Sequence, residues 1–143
     1  MTALEYPLDV NTILRKKKSI KRSLLLRADL IEKNIAILGG STTSEIKNIL
    51  ELFLLKNGVK AIFYESEYNK YYEDALFGNK SLDTFNPDIV YIHTTSQNII
   101  KYPEFKDSED EIASLLNIEM QRYKSIWSSL SKFDDAIIQN NFD

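Results

Sequence analysis

The sequence lacks cysteine, so disulfide bonds, thiolate metal ligands and a cysteine nucleophile are excluded. Glycine and proline are scarce, at 4 and 3 of 143 residues, which argues against an all-β protein with many tight turns. No apolar run approaches the roughly 20 residues of a membrane-spanning helix. The N-terminus also lacks the basic segment and apolar stretch of a secretory signal. We therefore expect a cytoplasmic protein with no membrane partner.

The composition is that of a globular domain rather than of a disordered chain, with 43% hydrophobic and 27% charged residues. The net charge of −3 argues against a nucleic-acid partner, because nucleic-acid binders are usually basic. One segment, residues 15–22, is strongly basic. We interpret it as the solvated face of a helix; a patch for phosphate, a membrane surface or an acidic partner is the alternative.

Short apolar segments alternate with segments of helical periodicity along the chain. Strands are predicted at residues 35–38, 59–64, 89–93 and 136–139, and helices at residues 11–25, 43–57, 69–76 and 108–132. This alternation is typical of an α/β fold, which we predict as three α/β/α layers around a parallel, flavodoxin-like sheet. Residues 26–34 are ambiguous, with a short turn at 29–33, and the rest of residues 66–85 and 94–106 is predicted as loop.

Two boundaries follow from this pattern. We divide the chain into an N-terminal helical extension, residues 1–29, and an α/β domain, residues 30–143. The sequence stops directly after the fourth predicted strand, so we expect a sheet truncated at its C-terminus and a fragment of a longer protein.

The longest predicted helix, residues 108–132, has the clearest signal, because Ser108 and Glu111 have the spacing of a capping box and Glu119 alone interrupts the apolar stripe.

The functional end of the domain is expected beyond the carboxyl ends of the strands, where ligands bind in open parallel sheets. Four segments should meet there: residues 39–43, 65–69, 94–98 and 140–143. The first reads Gly-Gly-Ser-Thr-Thr and leads into a predicted helix, whose free N–H groups favour an anion. Ser41 is a candidate nucleophile or phosphate contact; an ordinary turn with a Ser or Thr cap is the alternative. No nucleotide-binding glycine fingerprint is present.

Further polar side chains near this edge are weaker candidates. His93 ends the third predicted strand, and we favour a packed residue over a general base. One histidine and no cysteine leave only oxygen ligands, so we expect no metal site. The acidic residues at 107–111 are interpreted as helix capping rather than cation binding. The tyrosines at 68, 71 and 72 either pack at the rim or line a groove, and Asn98 is either a loop residue or a hydrogen-bond donor.

Four segments occur in order within residues 30–143: IAILGGSTT (35–43), FYESEYN (63–69), PDIVYI (87–92) and IQNNF (138–142). Together they resemble the N-terminal domain of FkbH-like proteins, which are multidomain members of the HAD class, subfamily IIIC. The resemblance implies a fold like that of SGNH (GDSL-like) hydrolases, followed in the family by a HAD phosphatase-like domain. The Asp-x-Asp motif of HAD chemistry does not follow an apolar strand here, so Mg is expected only for that absent domain and no cofactor for this chain.

The resemblance also implies partners and site residues. Family members are associated with loading a glyceryl unit from a phosphorylated three-carbon precursor onto a carrier protein, and with polyketide or surface-polysaccharide gene clusters. The partner expected here is therefore an acyl carrier protein or a small phosphorylated or acyl substrate. The segment at 39–41 matches the SGNH motif Gly-Asp-Ser with Gly40 in place of the aspartate, which makes Ser41 the candidate nucleophile.

Further site residues carry over less directly from the same family. Asn98 falls where the SGNH fold places an oxyanion-hole asparagine, with Gln97 as the less favoured choice. Asn69 lies near the second oxyanion segment, although the glycine expected there is missing. Gly40 and Thr42 are expected to contact the same substrate. The Asp-x-x-His segment that supplies the base would lie beyond residue 143, so the chain as given lacks a complete triad.

Three hypotheses remain open from the sequence. The first is a non-catalytic or incomplete SGNH-like module that binds substrate or carrier protein in an FkbH-like enzyme. The second is a hydrolase or acyltransferase in the intact protein, with Ser41 as nucleophile. The third is an interaction domain of receiver-like or flavodoxin-like topology, which ranks last because the first strand ends in glycines rather than in acidic residues.

Overall fold

The fold is a parallel sheet of four strands with helices packed against it, in a computed structural model that describes residues 3–133 and 136–141. The strands are β1 (Ile31–Gly39), β2 (Val59–Glu65), β3 (Ile89–His93) and β4 (Ala136–Gln139). They lie in the order β2-β1-β3-β4, and each neighbouring pair is parallel. The prediction of a three-layer α/β/α fold is confirmed.

Five helices connect or flank these strands in the described part of the chain. They are α1 (Val10–Leu24), α2 (Ser44–Lys56), α3 (Tyr71–Leu76), α4 (Lys80–Phe85) and α5 (Glu109–Leu130), with short 3₁₀ turns at Ser96–Asn98 and Ser131–Phe133. The predicted capping box of α5 is present, because Ser108 and Glu111 each accept a backbone hydrogen bond from the other. No helix in the described residues is both long enough and apolar enough to cross a bilayer.

Strand β1 is buried on both faces, as its unbroken apolar run indicates. Ala36 and Leu38 belong to a core cluster with Val90 and Ile92 of β3 and with buried residues of α3, α4 and α5. Ile37 points to the opposite face, because side chains alternate along a strand, and it is fully buried as well. This central strand ends in Gly39, so the turn that follows it begins at the end of a strand that the core holds in place.

Helix α1 packs on α2 rather than extending into solvent. Leu4, Ile13 and Leu52 form a second core cluster between them. The basic run of α1 lies along this contact, where Lys17 pairs with Glu45 at 2.5 Å and Lys21 pairs with Glu51 at 2.7 Å. The other four basic residues of the run are exposed: Arg15, Lys16, Lys18 and Arg22.

Three local expectations differ from the structure. Strand β1 begins at Ile31, inside the segment interpreted as ambiguous, because Ile31–Asn34 pair through their backbone with β2 although the side chain of Ile31 is 64% exposed. Residues 80–85 form α4 rather than a loop, since Asn79 caps the helix and Leu82 is fully buried. In α5 the apolar stripe is buried only toward the C-terminal half, and Leu116 is 65% exposed.

Candidate functional site

The turn at residues 39–43 begins where β1 ends and is hydrogen-bonded to the carboxyl ends of the two neighbouring strands. The Gly39 N–H donates to the Ser66 hydroxyl at 2.9 Å, after β2, and the Gly40 N–H donates to the His93 carbonyl at 2.8 Å, at the end of β3. Glycine is required at position 39, because a Cβ there would lie 2.6 Å from Cγ2 of Thr43. The parallel sheet thus brings the predicted segments together at one edge.

Asn98 connects these segments through its side-chain amide. Its Oδ1 accepts from the Thr95 N–H at 2.8 Å, and its Nδ2 donates to the Gly40 carbonyl at 2.9 Å and to Oδ1 of Asn69 at 3.3 Å. The orientation of the amide is fixed by its backbone partners, since an N–H can only donate and a carbonyl can only accept. Three predicted site residues, Gly40, Asn69 and Asn98, therefore form one hydrogen-bonded cluster, which we call the amide cluster.

The amide cluster limits what Asn98 can do chemically. Both hydrogens of Nδ2 are engaged within the protein, so stabilising an oxyanion would require releasing Asn69 or Gly40 first. Gly40 lies against the same amide, because a Cβ at this position would be 2.5 Å from Cγ, Oδ1 and Nδ2 of Asn98. The space next to position 40, where the resembling motif carries an aspartate, is thus filled by Asn98.

Asn69 has a left-handed backbone conformation, with φ of 58°. This conformation favours glycine, and asparagine is among the few other residues that adopt it readily. The resemblance implied a glycine near this position. Asn69 therefore supplies the same backbone shape and adds a side-chain acceptor for Asn98.

Ser41 and Thr42 flank the amide cluster on the turn. Ser41 is half-buried and Thr42 is exposed. Within residues 3–133 and 136–141, no hydrogen bond links the Ser41 hydroxyl to a potential base. His93 contacts Tyr91, since its Nδ1 lies 3.1 Å from the Tyr91 hydroxyl, and burial lowers the pKa of its imidazole. The catalytic role of Ser41 stays a prediction.

Thr43 forms a contact that sequence reasoning missed. It is the N-terminal cap residue of α2, but its hydroxyl donates to Oε2 of Glu65 at 2.7 Å instead of accepting from the helix. Lys47 donates to Oε1 of the same carboxylate at 3.0 Å. Burial acts to raise the pKa of Glu65, but the hydrogen bonds from Thr43 and Lys47 outweigh it and lower that pKa. The buried Thr43 side chain thus ties the start of α2 to the end of β2.

Replacement of Thr43 by valine should remove the hydrogen bond to Glu65 while keeping the shape of the side chain. We expect Thr43→Val to lower the free energy of unfolding by about 1.5 kcal/mol at pH 7, the low end of the usual range for a hydrogen bond to a charged group, because Lys47 still pairs with Glu65. Because the folded-state pKa of Glu65 lies below its ordinary value, the loss should be full above that ordinary value and should shrink as the pH falls through the folded-state pKa. Urea unfolding at several pH values measures both. Thr42→Val is the matched control on an exposed neighbour, and an equal loss in both variants would contradict this role.

The fourth predicted segment also reaches this edge of the sheet. The Thr94 N–H donates to Oδ1 of Asn140 at 2.9 Å, and Nδ2 of Asn140 donates to the Thr94 carbonyl at 2.7 Å. The Asn140 side chain thereby continues the pairing of β3 with β4 by one residue. Phe142 and Asp143, which belong to the same predicted segment, lie outside the described residues.

Arg122 of α5 is a site residue that sequence reasoning did not identify. Its guanidinium donates to the main-chain carbonyl of Asn98 at 2.9 Å and to the Tyr71 hydroxyl at 2.6 Å, and it pairs with Glu119. Burial opposes the charge, but the bonds to Glu119 and Tyr71 raise the pKa of Arg122. The available signal was Glu119, the one polar residue on the apolar stripe, with an arginine three residues later.

A cleft of about 350 Å³ opens beside Arg122 and the amide cluster. Its walls include Asn69, Tyr71, Tyr72, Gln97, Asn98 and Arg122. Of the predicted tyrosines, two therefore line a groove, while Tyr68 is 73% exposed. In the described ranges, no group of three or more His, Asp or Glu side chains is arranged to hold a metal ion.

The fold and these contacts define a parallel α/β domain with a candidate site at the carboxyl ends of β1, β2 and β3. The chain is similar in structure to the N-terminal part of protein BF1531 from Bacteroides fragilis, which contains a phosphatase domain complexed with Mg. The TM-score is 0.66 at 16% sequence identity, over 88% of this chain and 33% of that chain. At this identity the likeness shows the fold alone, and the chain spans about a third of the length of that solved N-terminal part. No family model and no curated protein matches the sequence.

Proposed function

We propose that this chain is the N-terminal SGNH-like module of an FkbH-like enzyme of the HAD class. In this role it binds substrate or carrier protein during glyceryl or acyl transfer in polyketide or surface-polysaccharide biosynthesis. Two independent findings support the proposal. Four sequence segments resemble that family, and the fold is shared with the N-terminal part of a protein that contains a phosphatase domain.

The amide cluster is the observation on which the proposal chiefly rests. Gly40, Asn69 and Asn98 come from three separate loops and join at the edge of the sheet where parallel α/β proteins bind ligands. The cleft beside them is lined largely by polar side chains, among them those of Asn69, Gln97 and Tyr72, which suits a polar substrate. Main-chain N–H groups at the start of α2 lie on the same side and favour an anionic group.

The contacts favour binding over hydrolysis by this chain. A serine nucleophile needs an adjacent base and free oxyanion donors. The amide hydrogens of Asn98 are engaged with Gly40 and Asn69, and no hydrogen bond within the described residues joins the Ser41 hydroxyl to His93. We therefore assign to the turn at residues 39–43 a binding role, with Ser41 and Thr42 as candidate contacts.

Titration of the ¹⁵N-labelled chain with an acyl carrier protein, apo and glyceryl-loaded, tests the proposal by NMR. We expect saturable shifts of the backbone amides of Gly40, Ser41 and Thr42 and of the side-chain amides of Asn69 and Asn98. A small phosphorylated three-carbon acid should shift a subset of the same signals. Shifts confined to α1, or no saturable shift with any of these partners, would contradict it.

A matched pair of asparagine variants locates the binding surface. Asn98→Ala removes the centre of the amide cluster, and we expect it to weaken binding by about tenfold or more, since several polar contacts depend on it. Asn57→Ala is the control, because the Asn57 amide donates only to the exposed end of α2, at the Phe53 carbonyl. Equal binding by the two variants would place the partner elsewhere.

A further inference from the structure

We infer that Arg122 is the positioning residue of the proposed site: from α5 it fixes the main chain of Asn98, and through Asn98 the amide cluster. The inference rests on the proposed function only in taking the amide cluster to be the binding site. Arg122 itself does not touch Gly40 or Asn69 in the hydrogen bonds that the described residues make. It acts on them through Asn98.

Arg122 is itself held rigidly, which a positioning residue must be. Its side chain is only 8% exposed, and its Nε and Nη2 both donate to Oε1 of Glu119, one helical turn earlier. The guanidinium carbon also lies 4.7 Å from the ring centroid of Tyr123 and 5.7 Å from that of Tyr71. The ion pair and the aromatic rings thus fix the direction of the donors before any ligand is present.

The carbonyl that Arg122 binds lies where a short 3₁₀ turn passes into an exposed loop. Asn98 is the last residue of the 3₁₀ turn Ser96–Asn98, and the chain beyond it runs into an exposed loop in which Ile100 is 71% exposed. The turn itself is closed by short-range bonds such as Asn98 N–H to the Thr95 carbonyl. The bond from Arg122 joins this local turn to a helix 24 residues further along the chain.

The geometry requires arginine rather than another cation. The guanidinium reaches three groups in different directions, namely Asn98, Tyr71 and Glu119. A planar fork with five N–H donors can do this, whereas a lysine ammonium lies at a single point. Loss of the fork should leave Asn98 free to rotate away from the Gly40 carbonyl.

Hydrogen exchange of the Asn98 side-chain amide tests the inference in the full chain without any ligand. In Arg122→Met we expect these hydrogens to exchange on the order of tenfold faster, because the residue that carries them has lost its anchor. The Asn69 amide signal should shift as well. The Trp127 indole N–H, which donates to Gln139 at 2.7 Å, should stay unchanged and reports on the fold.

Arg27→Met is the matched control. Arg27 also pairs with an acid, Asp29, and donates to main-chain carbonyls, those of Leu55 and Lys56, but at the opposite end of the sheet. We expect this variant to leave the exchange of the Asn98 amide at its native rate. A folded Arg122→Met protein with native Asn98 exchange, or an equal effect of Arg27→Met, would overturn the inference.

A second measurement needs no variant and decides the matter if Arg122→Met does not fold. In the native chain at low urea concentrations, the Arg122 guanidinium hydrogens and the Asn98 side-chain hydrogens should become exposed in the same opening step. Asn98 opening independently of Arg122 would overturn the inference. Both exchange measurements are made without a binding partner, so their outcome does not depend on the carrier-protein titration. Failure of that titration would refute the proposed function and leave the inference about Arg122 intact.

Discussion

Gly40→Ala should destabilise the chain by about 1–3 kcal/mol, the usual loss when a well-packed site is overfilled. The three atoms nearest to the added Cβ all belong to the Asn98 amide, at 2.5 Å. The amide must move, and its bonds to Thr95, Gly40 and Asn69 weaken together. Urea unfolding measures the loss, and the Asn98 side-chain NMR signals should shift strongly.

A double-mutant cycle shows whether Asn98 is the cause. If the added methyl group is harmful because it meets Asn98, then Gly40→Ala should cost much less in an Asn98→Ala background. We expect a coupling free energy of about 1 kcal/mol or more, as for other residues in contact. Additive losses in the double variant would show that the backbone of the turn, and not the Asn98 amide, requires glycine at position 40.

Asn140→Leu should be the second strongly destabilising change, with a loss of about 2–4 kcal/mol. Leucine keeps the size of the side chain but removes both partners of the Thr94 backbone, the acceptor at 2.9 Å and the donor at 2.7 Å. Thr94 is fully buried, so water does not readily replace these partners, and each buried polar group left without one costs about 1–3 kcal/mol. Thermal or urea unfolding measures the effect.

Asn57→Leu is the control for Asn140→Leu. Asn57 donates to the Phe53 carbonyl at 2.8 Å, but at an exposed helix end where water can replace it. We expect a loss below about 1 kcal/mol for this variant. If Asn140→Leu were equally mild, the two bonds to Thr94 would not stabilise the junction of β3 and β4.

Much of the fold could be predicted because its signals are local. The apolar run before Gly39 indicates a strand buried on both faces, and Ser108 with Glu111 marks the start of α5. The meeting of the loops also follows from the sequence, since the ends of parallel strands lie at one edge. Neither a spacing in the chain nor the family resemblance indicates that Asn98 binds Gly40 and Asn69, because these bonds form only where three separate loops meet.

The remainder depends on contacts between distant segments. Arg122 binds a carbonyl 24 residues earlier, and Thr43 binds Glu65 rather than the helix that it precedes, which no local propensity reveals. Helix α4 was missed because it is short and its one buried residue, Leu82, gives no helical periodicity, although Asn79 is a possible cap. In the first half of α5 the sequence predicted more burial than the structure shows. An apolar stripe indicates a helix, but it does not indicate how much of the stripe is covered by other elements.

Labelling with an activated fluorophosphonate tests most directly whether this chain is a binding module rather than a serine hydrolase. The native chain and its Ser41→Ala variant would be treated together, with far-UV circular dichroism to show that both are folded and an active serine hydrolase as positive control. We expect no labelling that depends on Ser41, because the Asn98 donors are engaged with other residues and, within the described part of the chain, no base is hydrogen-bonded to the Ser41 hydroxyl. Labelling of the native chain that disappears in Ser41→Ala would contradict this and make Ser41 a working nucleophile.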